Sequence, residues 1–156
     1  MNHDELIKQG LEFHESFQYE QALAYFEKSF ETHPRCAATL YNCANTLHML
    51  GRSSEAERFI RILHEATEEE LKKGCSESEI EPRSFQVDAH FLLYFLTLET
   101  SGSFQLARPH AVKHILERDD SLDSVWTFDD VVEQLEQDAK NAEQSVPPKS
   151  DRAGGN

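Results

Sequence analysis

An all-α fold, an α-α superhelix of antiparallel helical hairpins, is predicted by three observations. Apolar residues recur at spacings of three and four rather than two, which is the period of amphipathic helices. Glycine and proline number only 6 and 5 in 156 residues, which suits helices joined by short turns. A pattern of small and aromatic side chains also returns at a fixed interval, so the hairpins read as copies of one unit. The periodicity places helices over about 3–15, 19–32, 37–50, 54–73, 86–101, 104–118 and 128–143, and no segment alternates convincingly as a strand would.

The first helix carries Leu6, Gly10 and Phe13 on one face, and the second carries Ala22 and Phe26 before Pro34 stops it. Small residues at Gly10 and Ala22 let two antiparallel helices approach closely, while Phe13 and Phe26 fill the wedges beside the contact. Helices three and four repeat the arrangement. Sliding the sequence by 34 residues lays Leu6 on Leu40, Gly10 on Ala44, Phe13 on Leu47, Ala22 on Ala56 and Phe26 on Ile60. With Leu6, Gln9, Gly10, Phe13, Ala22, Phe26 and Pro34 at its signature places, the first unit resembles the tetratricopeptide repeat. Leu6 is a conservative replacement for the family's Trp, and Gln9 departs from the pattern. The resemblance implies a solenoid whose first helices line a concave, protein-binding surface.

A third copy is offset. From Gly51 to Gly102 and from Ala56 to Ala107 the step is 51, leaving 17 extra residues within the segment 68–86. That insertion reads as an overlong second helix ending near Lys73, a cap at Gly74 and a Ser/Glu-rich loop reaching Pro82. In the third unit Phe95 replaces the small residue, Ala111 replaces the Phe, and Pro109 interrupts or kinks the second helix. Large and small would thereby trade places across the contact at nearly constant volume. The expected organisation is one domain over 1–144, with units at about 3–36, 37–70 and 88–121 and a capping helix over 127–143. Thr127 is placed to cap that last helix with Asp130, Trp126 to staple onto Val131, and Phe128, Val131, Val132, Leu135 and Ala139 to form its apolar stripe. Residues 145–156, SVPPKSDRAGGN, are expected to be disordered.

Charge narrows the partners. The formal net charge is -14, and the stretch from Glu117 to Glu143 holds 10 acidic against 2 basic residues. Such a field repels phosphate backbones and anionic bilayers, so neither nucleic acid nor membrane is an expected partner. Cys36, Cys43 and Cys75 are odd in number and form no CxxC pair, which argues against a disulfide framework and a zinc knuckle. The opening MNHDELIKQG lacks the apolar run of a signal peptide and no stretch approaches a membrane span. A cytoplasmic location is the expectation.

Chemistry-bearing constellations are sparse. His110, His114 and Glu117 share a helix face at metal-ligand spacing, which would suit a metal-binding protein or an enzyme, yet no fourth ligand lies near them in sequence. No phosphate-cradling loop, nucleophile elbow or catalytic carboxylate pair is present, so neither catalysis nor a cofactor is expected. The resemblance instead implies a groove on the first helix of each hairpin: Ile7, Leu11 and His14, then Tyr41, Asn45 and His48, then Leu92, Leu96 and Glu99. His14 and His48, 34 residues apart, would be neighbours responding together to mild acid. Family members that hold a chaperone's terminal carboxylate do so with Lys, Arg and Asn. Here the matching places carry Ile7, Leu11, Asn42, Ala89 and Leu93, so that mode is not expected. The expected occupant is a helical or extended apolar segment of another protein with basic flanks. A scaffold, adaptor or chaperone-like role would follow. Self-association through the C-terminal helix is the alternative.

Overall fold

The computed structural model describes residues 1–74 and 81–145. Those residues form α1 (His3–Glu15), α2 (Tyr19–Thr32), α3 (Ala37–Met49), α4 (Ser53–Glu65), α5 (Glu68–Gly74), α6 (Pro82–Ser101), α7 (Phe104–Glu117) and α8 (Phe128–Ser145). The pairs α1·α2, α3·α4 and α6·α7 are hairpins. Across units α2 packs on α3, and α6 packs on both α3 and α4, which makes the superhelix. Residues 146–156, where disorder was expected, lie outside the described residues.

The sequence chemistry of the first hairpin is realised in its contact. Asn2 and Glu5 close a capping box at the start of α1, with Asn2 N to Glu5 Oε2 at 2.8 Å and Glu5 N to Asn2 Oδ1 at 2.9 Å. One turn further in, Gly10 meets the flat of Phe26. A methyl group built on Gly10 would lie 2.8 Å from both Cδ1 and Cζ of that ring, which is fully buried. The turns between paired helices share a left-handed residue at equivalent places: Phe17 at φ 61, Gly51 at φ 73 and Gly102 at φ 65. Glycine adopts that conformation without strain, whereas the exposed Phe17 does not.

Two expected boundaries shift, each for a readable reason. The single helix expected over 54–73 is two helices, because Ala66 is extended at ψ 142 and Thr67 opens a new one. Thr67 Oγ1 accepts from Glu70 N and Glu70 Oε2 accepts from Thr67 N, both at 3.1 Å, a second capping box. The helix expected from residue 86 begins earlier, because Pro82 occupies the first turn of α6, where its missing N–H costs nothing. Helix α7, expected over 104–118, is not interrupted at Pro109, which lies on its exposed side. Gly74, placed as a cap, closes α5 against the α2–α3 turn, where an added Cβ would lie 3.0 Å from Cys36 N.

Two apolar clusters hold the stack. One fills the first two units and the inner face of α6, with Phe26, Leu40, Leu47, Ile60, Leu63, Leu71, Leu92 and Leu96 at its centre. The other gathers Phe91, Tyr94, Ala107, Ala111 and Val131, and Phe95 packs against it. The size exchange between Phe95 and Ala111 thus occurs within one cluster. Trp126 touches both clusters. Cys43 is a free buried thiol whose pKa is pushed up to about 12 by desolvation. Cys36 is disulfide-bonded, contrary to the expectation from the odd cysteine count.

Helix α8 is capped at its start and fastened part-way along. Thr127 and Asp130 form the predicted cap, with Asp130 Oδ2 accepting from Thr127 N at 2.8 Å and Thr127 Oγ1 accepting from Asp130 N at 3.1 Å. Val131 is fully buried, Val132, Leu135 and Ala139 are half-buried, and Phe128, expected in the apolar stripe, is exposed. Further along, the Tyr94 hydroxyl donates to Asp138, which also accepts from Gln134 Nε2 at 2.9 Å. The loop before α8 is held by Asp88, a buried carboxylate on α6 that accepts from Ser124 Oγ at 2.5 Å and Val125 N at 3.0 Å. Burial raises the pKa of Asp88, and these hydrogen bonds oppose the rise.

Candidate functional site

A continuous strip of side chains crosses the first helices of the three hairpins and ends against α8. It begins on α1, where His14 packs edge-on to Tyr19 with ring centroids 5.1 Å apart. Across the interface His14 Nε2 lies 3.5 Å from Asn45 Nδ2 on α3. One helical turn beyond Asn45, His48 Nδ1 approaches Glu99 Oε1 of α6 at 3.3 Å, and Glu99 also accepts from Ser53 Oγ at 2.6 Å. The His48 ring stacks on Phe95, one turn before Glu99, with centroids 6.0 Å apart and planes 24° apart. Burial holds the His14 pKa below its ordinary value.

At Phe95 the strip opens into a cleft between α6 and α8. Half-buried Phe95 and Trp126 supply aromatic surface over the buried Phe91, and Asp130, Glu133, Gln134 and Gln137 line the α8 side around about 590 Å³. The buried Phe91 braces both rings, with Trp126 at 90° and 4.9 Å and Phe95 at 4.8 Å between centroids. No Lys or Arg is among these lining residues. Hydrogen bonds from Thr127 hold the Asp130 pKa below the usual carboxylate range, so Asp130 remains charged.

The predicted groove is partly displaced. His14, Asn45, His48 and Glu99 line the strip, Leu11 is exposed and Ile7 half-buried. Tyr41, Leu92 and Leu96 are buried instead. They lie on the faces by which successive helices stack, Tyr41 with its ring 5.8 Å from that of Phe85. His14 and His48 are not paired with each other: their cross-helix partners are Asn45 and Glu99. Phe91, Phe95, Trp126 and Glu133 were not foreseen. The sequence signal for Phe91 and Phe95 was the aromatic density of FLLYF at residues 91–95.

The suspected metal ligands do not converge. His114 points into the core, its Nδ1 2.9 Å from Val87 O and 3.9 Å from Asp88 Oδ1. Glu117 accepts from His90 Nε2 at 2.8 Å, and His90 stacks on His64 at 4.3 Å. Among the described residues no group of three His, Cys, Asp or Glu side chains is placed to hold a metal ion.

The tetratricopeptide-repeat family model matches residues 13–73, from the end of α1 to the end of α5. That segment is similar to tetratricopeptide repeats. Neither the curated proteins nor the solved structures yield a match. Tetratricopeptide repeats generally mediate protein–protein contacts and are typically noncatalytic, and α6 with α7 continues the matched hairpins by the same stacking. Among the described residues no helix is long and apolar enough to cross a membrane.

Proposed function

We propose that this chain is a noncatalytic binding module that takes a helical or extended apolar segment of a partner protein across the strip from His14 to Phe95. The supporting observation is continuity: His14–Asn45, His48–Glu99 and His48–Phe95 are successive cross-helix contacts on one surface. Exposed Leu11 adds apolar surface on α1. A net charge of -14 favours a segment with basic flanks, because complementary charge steers the encounter and disfavours acidic competitors.

The test compares capture from host lysate by wild type and by a Leu11→Lys, Asn45→Lys, Glu99→Lys variant. All three positions are at least partly exposed, so the variant should keep its helical circular dichroism. A partner held by wild type and lost by the folded variant supports the strip. Equal capture by both overturns it, and light scattering on the same samples then asks whether a second copy is the occupant.

A further inference from the structure

We propose that the α6–α8 cleft is a receptor for one arginine side chain of the partner. This deepens the strip reading and rests on it. Three features of the cleft select a cation. Phe95 and Trp126, both half-buried, offer ring surface, with the buried Phe91 backing them. An aromatic face attracts a cation through its quadrupole. Asp130 and Glu133 put two carboxylates on the facing wall, and no basic side chain among the lining residues neutralises them. Gln134 and Gln137 complete that wall with amide groups. Gln134 uses its Nε2 on Asp138, which leaves its carbonyl oxygen as an acceptor.

Arginine fits this set better than lysine. Its planar guanidinium lies flat on a ring while its edge donates to a carboxylate and an amide oxygen together, and it sheds water more readily than an ammonium. A neutral apolar side chain would use the rings but leave the carboxylates unanswered. Position agrees with chemistry as well: Phe95 lines the cleft and also stacks on His48, so a segment lying along the strip reaches the cleft without a break.

Trp126 is the single tryptophan of the chain and sits in the cleft wall, so its emission reports occupancy directly. The experiment titrates the full chain with acetyl-arginine methylamide at low ionic strength, and in parallel with the citrulline analogue, which keeps the shape and removes the charge. The expected result is a saturable change in Trp126 emission with arginine and affinity for citrulline weaker by about fivefold or more. Glu133→Gln, an exposed change that leaves the Thr127 cap intact, should weaken arginine by about threefold. Phe95→Leu should weaken it further. Equal affinity for arginine and citrulline, or no saturable response, overturns the proposal, as does unchanged binding in Glu133→Gln. A response seen only after Arg152→Gln would assign the cleft to the chain's own tail and overturn it too. Failure of the strip reading is separate: it appears as unchanged partner capture by the Leu11→Lys, Asn45→Lys, Glu99→Lys variant, whatever the titration reads.

Discussion

Replacing Gly10 by alanine sets two effects of opposite sign against each other at one atom. Alanine is the better helix former, and in an exposed helix the exchange would stabilise by about 1 kcal/mol. At Gly10, however, the new methyl would sit 2.8 Å from two carbons of the Phe26 ring and closer still to a third. That ring is fully buried between α2, α1 and the core, so it has little room to give. Overpacking of this kind costs about 1–3 kcal/mol, and the net expectation against the helix-propensity gain is a loss of up to about 2 kcal/mol. For a chain of this size that lowers Tm by up to about 8 °C. The decisive comparison places the same change in a Phe26→Leu background. Leucine lacks the ring edge that meets Gly10, so Gly10→Ala should there become neutral or stabilising by up to about 1 kcal/mol. Urea unfolding followed by circular dichroism gives both differences. A rise in stability on Gly10→Ala in the wild-type background would refute the close-contact account of the hairpin.

Other outcomes follow from the same geometry. Phe17→Gly should raise stability by about 1 kcal/mol by relieving a left-handed backbone at an exposed aromatic, read as a Tm increase. Tyr94→Phe removes the hydroxyl that donates to Asp138 and should cost about 1 kcal/mol, with faster proteolysis confined to α8 if the bond holds that helix. Stability should also fall on acidification. Burial and the neighbouring His64 hold His90 at about 4, below the 6.5 of an unfolded chain, so the folded state binds the proton later. The contribution is complete above about pH 6.5 and is lost as pH falls towards 4. Screening at this partly accessible site keeps it to about 1–2 kcal/mol. His64 and His110 are shifted in the same direction, mainly by burial. His90→Gln should flatten that part of a stability-against-pH curve measured in urea.

Local chemistry made the repeats legible. The packing of Gly10 on Phe26 is written in residue size at a fixed interval, so it survives translation into one dimension. The break at Thr67 was equally available, since T-x-x-E is a helix start, but it stands in a glutamate-rich run whose spacing continues the helix before it. Pro82 as a first-turn residue was likewise readable. The buried Asp88 and its hold on Ser124 and Val125 were not, because that partnership joins residues 36 and 37 positions apart. The groove prediction misplaced Tyr41, Leu92 and Leu96 for a related reason. A first helix inside a stack meets neighbours on more sides than a single hairpin shows, so its apolar surface is divided between core and strip by the stacking rotation. The cleft needed that rotation and the return of α8 together.

The reversed sizes at Phe95 and Ala111 bear on how such a chain can exchange its helices. In the first two units the bulky member sits on the second helix, as Phe26 and Ile60, and the small one on the first, as Gly10 and Ala44. The third unit inverts this. A recombination joining a first helix of the early type to α7 would set glycine against alanine and leave a void. The reciprocal product would set Phe95 against Phe26 and clash. Helices α6 and α7 are therefore matched in size as a pair, and exchanging either one alone would unbalance their contact. Because Phe95 also lines the cleft beside Trp126, the residue that keys the last hairpin is not free to drift with the ligand alone.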